Sequence, residues 1–449
     1  MGGARPRGAA ISPWFAGGRK LPPVRLARVV HVVLGLAAGV TGVVASTRAA
    51  QADTSAPLPP AAANQEVPFG PRSELRLSSA EALRRVRAGA PELRVARDRE
   101  SIARADVGVA GVLPNPIISA ATNTQSARLA LGASLALPIL GQRGATIAAS
   151  RADLETAHID TEVIWTDVRA AAGRAYVALW LAQERAAARR EGSVIASRLD
   201  AAVAARVELG AAPEVDGLRT RAERLRAEAD AREAEALVDA AASQLAFYLT
   251  TNEALRADGE YGVPTDAPPL PSLTTRLEAS PIVRRENSDA RAADARVSRE
   301  RALARPTPVL DLGADIGDPT LPTTNYRAGI ALDVPLLSMR GAQIDRERAN
   351  AAAARSRASL ELARNRAGLT AAYHTFVGAD ARAKMLAVVL VAADAASRAT
   401  EESYQLGRAQ LVAVLDASRT RLDTRITLAE AIGTRAQAWI DIERAIGAP

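Results

Sequence analysis

Two parts of the chain alternate apolar and polar residues with a period of two, which is the pattern of β-strands with unlike faces. The clearer case is residues 308–316 followed by 326–335. One side of this predicted hairpin carries Leu310, Leu312, Ala314, Ile316, Tyr326, Ala328, Ile330, Leu332 and Val334. The other side carries Asp311, Gly313, Asp315, Arg327, Gly329, Ala331 and Asp333. Residues 116–124 and 128–137 have a similar pattern, so the sequence predicts two β-hairpins.

The predicted strands are about nine to eleven residues long, which is the length of a tilted strand that crosses a membrane. A half-buried strand of a soluble sheet has the same alternation. The hairpins contain a single aromatic residue, Tyr326, whereas membrane barrels have aromatic girdles at both interfaces. The alternation alone therefore leaves both kinds of sheet open.

A long alanine-rich stretch without proline follows each hairpin, at residues 141–209 and 341–406. A helix of this length would measure roughly 100 Å, far more than an ordinary globular helix. Gly210 and Gly407 end the two stretches, as glycines at helix C-termini do. A second helix is predicted within a few residues, so each glycine marks a helix–turn–helix tip. Spacings of three and four predict one packed stripe in the first stretch: Trp165, Val168, Ala172, Tyr176 and Leu179.

The chain repeats itself at an offset of 197 residues. Matching pairs at this offset are Gly132 and Gly329, Pro138 and Pro335, Arg143 and Arg340, Tyr176 and Tyr373, Gly210 and Gly407, and Leu225 and Leu422. Pro114 and Pro116 match Pro306 and Pro308 at an offset of 192, so the second copy has five more residues between these prolines and Gly329. A fixed offset over about 90 positions indicates an internal duplication.

The N-terminus has the form of a secretory signal peptide, with a basic region, an apolar run over residues 29–44 and the small residues Ala50 and Ala52 before a predicted cleavage site. The predicted organisation is a signal peptide at 1–52, an irregular segment at 53–75, a first repeat at 76–256, a Pro-rich linker at 257–279 and a second repeat at 280–449. Each repeat consists of a helix, a β-hairpin, a long helix and a further helix.

Charge, cysteine content and hydropathy narrow the range of possible functions. The sequence pI is 10.2, but the basic excess lies in the predicted signal peptide, and 50 of the 57 basic residues remain after it against 50 acidic ones. A neutral mature chain does not predict nucleic acid as a partner. The absence of cysteine excludes disulfides and thiolate metal sites. No other apolar run reaches 18 residues, so any membrane crossing has to use strands of a closed barrel.

Catalytic chemistry has little support in the sequence. His158 and His374, the two histidines after the signal peptide, lie in mid-helix at unlike repeat positions. No glycine-rich loop follows a strand to hold a phosphate, and no spacing singles out a pair of carboxylates. We predict no catalytic residue, no metal site and no cofactor.

Four motifs resemble the outer-membrane efflux protein (TolC-like) family. They are Leu113-Pro114-Asn115-Pro116, Gly141-Gln142-Arg143-Gly144, Ala205-Arg206-Val207-Glu208-Leu209-Gly210 followed by Asp216, and Tyr404-Gln405-Leu406-Gly407 followed by Val414-Leu415-Asp416-Ala417. The resemblance covers about residues 76–447. It is closest to the outer-membrane components of cation and heavy-metal efflux systems.

The resemblance implies an α+β membrane protein that assembles as a homotrimer. Two β-hairpins per chain would contribute to a 12-stranded outer-membrane β-barrel, continued by a long antiparallel coiled-coil helical barrel in the periplasm. The protein would be a passive exit duct and not an enzyme, with a periplasmic adaptor (membrane fusion) protein, an inner-membrane pump and outer-membrane lipid as partners. The strand pattern itself requires only that copies associate, because four strands cannot close a barrel.

The resemblance also assigns site residues at the periplasmic end. Asp416 would belong to an acidic ring, and Tyr404 would hydrogen-bond Asp216 across the two tips. Arg408 lies one place before the position of a latch arginine, which is Ala409 here, and a second ring carboxylate is replaced by Ala413. The turns at Gly210 and Gly407 would contact the adaptor. In the barrel, the alternation places Asp311, Asp315 and Asp333 on the lumen side.

The alternative function is a periplasmic coiled-coil adaptor or scaffold protein, which would also be exported and rich in long helices. Duplicated hairpins of membrane length favour the channel, since a coiled-coil rod needs no strands. The sequence does not identify the cargo, because no cluster of Met, Cys or His residues favours metal cations over other small molecules.

Overall fold

The computed structural model describes residues 74–122, 128–317, 324–335 and 339–447. The predicted signal peptide and nearly all of the segment 53–75 lie outside them. The strands are β1 (Glu74–Leu77), β2 (Ile117–Ala121), β3 (Leu129–Ala136), β4 (Ala254–Ala257), β5 (Thr307–Ile316) and β6 (Asn325–Asp333). The helices are α1 (Ser79–Gly89), α2 (Pro91–Ala110), α3 (Gln142–Glu208), α4 (Glu214–Leu249), α5 (Leu270–Leu277), α6 (Pro281–Leu303), α7 (Gly341–Gln405) and α8 (Leu411–Ile446).

Both predicted hairpins are present and form one four-stranded antiparallel sheet in the order β2-β3-β5-β6. The strand positions agree with the predicted ones to within one or two residues, except that β2 is shorter, at five residues. Within the described residues, β2 and β6 each pair with one strand only, so the sheet has two open edges. The five-residue insertion of the second copy falls largely on residues 318–323, outside the described ranges.

Strand register confirms the two predicted faces. Leu310 pairs with Ile330 and Leu312 with Ala328, while Asp311 pairs with Gly329. Directly opposed residues of an antiparallel pair lie on the same face. The apolar residues of β5 and β6 therefore share one face of the sheet, and their aspartates share the other.

The long helices are the dominant elements, with 67 residues in α3 and 65 in α7. Alanine favours helix, and the absence of proline leaves every backbone N–H free to bond. Four members of the predicted stripe, Val168, Ala172, Tyr176 and Leu179, are buried. Tyr176 and Leu179 pack with α4 and α8, whose contribution to this part of the core is largely small and aliphatic. Small side chains there let the helices approach closely. Val168 and Ala172 pack instead with α1 and the start of α2.

Three features were not predicted, and two of them correct the expected linkers. Residues 257–279 are not a plain linker, because β4 ends at Ala257 and α5 lies inside the segment. β1 and β4 form a two-stranded parallel sheet that joins the start of the first repeat to its end, with Leu77 and Leu255 buried. The opening helix is broken at Ala90, because Pro91 disfavours a helical conformation in the residue before it.

The parallel sheet is held against α3 by Tyr176, which is 1% exposed. Its hydroxyl lies 2.9 Å from the Gly259 carbonyl oxygen and 3.2 Å from those of Leu77 and Asp258. Burial and the nearby charge of Asp258 raise the pKa of the Tyr176 phenol to about 12. The folded protein therefore holds this proton more tightly than the unfolded chain does.

We expect Tyr176→Phe to cost about 1–2 kcal/mol at neutral pH, because it removes the one buried hydroxyl proton that three carbonyl oxygens share. In the parent protein, the contribution of the raised pKa is fully present below pH 10 and decreases as the pH rises towards 12, by up to about 3 kcal/mol. Urea unfolding between pH 8 and pH 12 measures both effects. An equally steep alkaline loss in Tyr176→Phe would contradict this assignment.

Candidate functional site

Two regions carry the residues singled out by the sequence: the pair of helix tips between α3 and α4 and between α7 and α8, and the polar face of the four-stranded sheet. Each region is made of equivalent parts from the two repeats. The tips lie 197 residues apart, and the strands are related by offsets of 192 and 197.

The two tips have the same backbone geometry. Gly210 and Gly407 adopt left-handed φ angles of 68° and 73°. At the first tip, the Ala211 N–H donates to the Arg206 carbonyl oxygen at 2.8 Å. At the second, the Arg408 N–H donates to the Ser403 carbonyl oxygen at 2.8 Å. These are Schellman caps, in which a glycine reverses the chain at low steric cost and satisfies the last helical carbonyls.

Apolar side chains project from both tips. Leu209 is 83% exposed and Leu406 is 68% exposed, at equivalent positions immediately before the glycines. Val215 and Val412, at equivalent positions just after the turns, are also exposed. Exposed apolar groups in two matching sets are typical of a surface that binds a protein partner.

The two tips contact each other through Tyr404, but not as predicted. The Arg206 guanidinium donates to the Tyr404 hydroxyl at 3.2 Å and lies 5.7 Å from the ring centroid. Within the described ranges, no hydrogen bond joins Tyr404 to Asp216. Arg206 and Tyr404 lie in the last turns of α3 and α7 and reach each other through their long side chains, whereas Asp216 lies beyond the turn.

Asp216 and Arg408 have other surroundings. Asp216 lies in the first turn of α4, where its carboxylate is favourably placed relative to the helix dipole. The Arg408 N–H is part of the second cap, and the residue is exposed. The sequence offered one signal for Arg206: it is the only arginine in the last turn of α3.

Asp416 lies in the second turn of α8 and is exposed. Val414 and Ser418, two residues to either side of it, are buried. Because successive helical residues are about 100° apart, Asp416 points away from the face of α8 that packs on its own chain. Its place in an acidic ring stays a prediction.

The polar face of the sheet carries the three predicted aspartates. Asp315 forms an ion pair with Arg327, with 2.9 Å between Nε and Oδ2. In the described part of the chain, Asp311 and Asp333 have no such pairing. Arg327 was not assigned a role by the sequence, although it lies on the same face and diagonally across from Asp315. The net charge of this face is therefore less negative than three free carboxylates would make it.

Other titratable groups with shifted pKa values serve the packing of helices. Hydrogen bonds from Lys384 and Arg435 hold the pKa of Asp380 below its ordinary value. Hydrogen bonds from Asn350 and Arg346 do the same for Glu347. Among the described residues, no group of three or more His, Asp or Glu side chains could hold a metal ion.

No helix in the described ranges is long and apolar enough to cross a membrane.

Comparison with known proteins gives one consistent result. The family model described as "Outer membrane efflux protein" matches residues 272–448. The cobalt-zinc-cadmium resistance protein CzcC of Cupriavidus metallidurans is 26% identical over 344 residues, covering 75% of this chain and 82% of the relative.

Solved structures show the same fold. CusC aligns with a TM-score of 0.69 and 16% identity, covering 83% of this chain and 92% of that chain. The open-state outer membrane channel MtrE of Neisseria gonorrhoeae aligns with a TM-score of 0.66 and 16% identity, covering 82% and 88%.

Proposed function

Because the chain belongs to the outer membrane efflux protein family, we propose that it forms the outer-membrane channel of a tripartite efflux system. The channel is a passive duct across the outer membrane and the periplasm and performs no catalysis. It is exported by the signal peptide at 1–52 and assembles as a homotrimer. Its other partners are a periplasmic adaptor protein, an inner-membrane pump and the lipid of the outer membrane.

The observation that carries this proposal is the sheet. It has one apolar face, one face with aspartates, and two open edges. In a membrane, every backbone N–H and C=O needs a partner, so a sheet with open edges has to close with other copies. β2 and β6 run in opposite directions, so β6 of one copy can pair antiparallel with β2 of the next. Three copies supply twelve strands, with the apolar face towards lipid.

The helices supply the periplasmic part. At 1.5 Å per residue, α3 and α7 are each roughly 100 Å long, and both start within a few residues of a strand of the sheet. Their far ends are the two tips with exposed Leu209 and Leu406. This arrangement favours a channel over a periplasmic adaptor or scaffold, which would have no use for a sheet that is apolar on its outward side.

Planar bilayer recordings test the proposed function directly. The protein purified in detergent should insert and give discrete conductance steps, and cell fractionation should place it with the outer membrane. Recovery in the soluble periplasmic fraction without channel activity would support the scaffold instead.

For the cargo, we propose divalent metal cations, supported by the similarity to CzcC. Deletion of the gene should then increase sensitivity to zinc, cobalt or cadmium, and no change would exclude these cargoes.

The aspartates of the sheet should make the open channel prefer cations. We expect Asp311→Asn with Asp333→Asn to reduce the cation preference, because these carboxylates have no ion-pair partner in the described structure. Asp315→Asn should reduce it less, and Arg327→Gln should increase it, since Arg327 neutralises Asp315. Reversal potentials in a salt gradient measure the preference, and the differences should shrink at high salt. An Arg327→Gln channel that is no more cation-selective than the parent would contradict the assignment.

The tips are the proposed gate. Arg206→Ala with Tyr404→Phe should raise the conductance of purified channels, because the contact between α3 and α7 at the mouth is lost.

Three Asp416 side chains near the axis would bind divalent cations, so Asp416→Ala should abolish block by them. Asp423→Ala is the matched control, because Asp423 is exposed two turns further along α8. Equal loss of block in both aspartate variants would remove Asp416 from the gate.

A further inference from the structure

We propose that Arg382 of one copy forms an ion pair with Glu233 of the next, and that Leu332 of the first pairs with Ile118 of the second across the sheet. In this proposal, β6 and α7 of one copy pack against β2 and α4 of the next. They do so in the register that joins β3 and α3 to β5 and α8 inside one chain. The inference rests on the proposed function only in requiring that copies associate side by side.

The two repeats are alike in length and register as well as in sequence. Helices α4 and α8 both have 36 residues and begin 197 positions apart. Ile117 pairs with Ser134 in the first hairpin, and the equivalent residues Val309 and Ala331 pair in the second. At the other end of β2, Ala121 pairs with Ala130, as Gly313 does with Arg327. Equivalent residues of the two repeats therefore make equivalent contacts.

The junction of the two repeats inside the chain is the template. In the sheet, Leu135 of β3 pairs with Leu310 of β5. Among the helices, the Arg185 guanidinium of α3 lies 2.7 Å from the Glu430 carboxylate of α8. Leu422 of α8 packs on Gly192 of α3, 3.1 Å from the position that a Cβ atom would occupy.

Each residue of this junction has an equivalent in the other repeat, and the equivalent residues would meet between two copies; we call this the advanced junction. The pair Leu135 and Leu310 corresponds to Leu332 of one copy and Ile118 of the next, both on the apolar face. Arg185 and Glu430 become Arg382 and Glu233. Among the described residues, neither Arg382 nor Glu233 has an ion-pair partner within its own chain. The advanced junction thus brings together two opposite charges that the single chain leaves apart.

The apolar surface of the chain agrees with this placement. Leu422 and Gly192 become Leu225 of one copy and Val389 of the other, which are 53% and 47% exposed. Beside them, Met385 and Val388 are 68% and 69% exposed. The template position of Val388 is Glu191, which binds Arg421 and Arg425 inside the chain. The junction between copies is therefore more apolar than the junction inside one copy, as expected for a permanent interface.

Cysteine pairs test the strand register, because the parent chain contains no cysteine. Leu332→Cys with Ile118→Cys should give disulfide-linked oligomers on oxidation in outer-membrane fractions, seen by gel electrophoresis without reductant. Leu135→Cys with Leu310→Cys is the matched control at the template pair, and should link within one chain and migrate as a monomer. Leu332→Cys with Ala120→Cys tests a slip of two residues, the smallest that keeps both side chains on one face.

Charge reversal tests the helices. Arg382→Glu and Glu233→Arg should each reduce the fraction of oligomer that survives detergent, and the double reversal should restore it.

If the slipped cysteine pair, Leu332→Cys with Ala120→Cys, is linked instead, in a protein that still forms channels, this register is overturned and the proposed function is left intact. Failure of the double reversal to restore the oligomer would overturn the helix contact. A monomer in detergent without channel activity would overturn both the interface and the proposed function.

Discussion

Replacing Ile330 with arginine is expected to cost about 2–4 kcal/mol, because Ile330 lies near the middle of β6 on the face proposed to contact lipid. Ile330 pairs with Leu310 on the apolar face of the sheet and is 80% exposed in the single chain. Towards lipid, an arginine side chain would have to leave water or distort the bilayer around it. The yield of assembled protein in outer-membrane fractions and urea unfolding in lipid vesicles both measure the loss.

The neighbouring position supplies the matched control. Ala331 points to the other face of the sheet, opposite Val309. Ala331→Arg should assemble normally and change ion selectivity instead, because that face borders the water-filled lumen of the proposed channel. If both arginine variants assembled equally well, or if a spin label at position 330 reported water instead of lipid, the assignment of the lipid face would be wrong.

Removing the carboxylate of Glu300 should have the largest effect outside the sheet, about 2–3 kcal/mol for Glu300→Ala. Glu300 is 4% exposed and accepts hydrogen bonds from Arg340 at 2.6 Å and 3.0 Å, and from Arg299 at 3.1 Å. Breaking a buried ion pair costs about 3–5 kcal/mol, and the partial exposure of both arginines reduces that figure. Arg340 also begins α7 with a left-handed φ of 51°, which this pair helps to hold.

The pH dependence of stability separates charge from packing at this site. Burial alone would raise the pKa of the Glu300 carboxyl, but hydrogen bonds from Arg340 and Arg299 outweigh it and lower the pKa. Its contribution is therefore present above the pKa of an unfolded glutamate, about 4.3, and is lost as the pH falls below that value. Glu300→Gln should lose this part of the acid dependence. Glu81→Gln, in an exposed pair with Arg85, should change stability by no more than about 0.5 kcal/mol. An unchanged acid profile in Glu300→Gln would contradict this role.

Much of the fold could be predicted because its signals are local. The alternation along residues 308–316 and 326–335 defines both faces of the hairpin, and register follows since a one-residue slip would reverse every side chain. Gly210 and Gly407 mark helix ends because the left-handed conformation they adopt is costly for other residues. The offset of 197 residues between the copies then predicts that the two tips have the same turn geometry.

The remaining features depend on contacts between distant parts of the chain. The strands β1 and β4 have four residues each, too few for a periodic signal, and the Tyr176 hydroxyl of α3 donates to the backbone beside them from a distant part of the chain. The contact of Tyr404 with Arg206 was not predicted for the same kind of reason. Choosing Arg206 over Asp216 requires knowing that the side chains at the ends of α3 and α7 come within reach of each other, and no spacing in the sequence indicates this.

The open edges of the four-stranded sheet have a consequence for biogenesis. In the proposed channel, a single copy cannot enter the hydrocarbon layer, because the free backbone groups of β2 and β6 would lose water without gaining a partner. Insertion and association must therefore occur together, in contrast to a barrel made by one chain. The rate of appearance in the membrane should rise more steeply than linearly with the concentration of exported chains. At low expression, an unassembled pool should accumulate in the periplasm and be open to proteolysis.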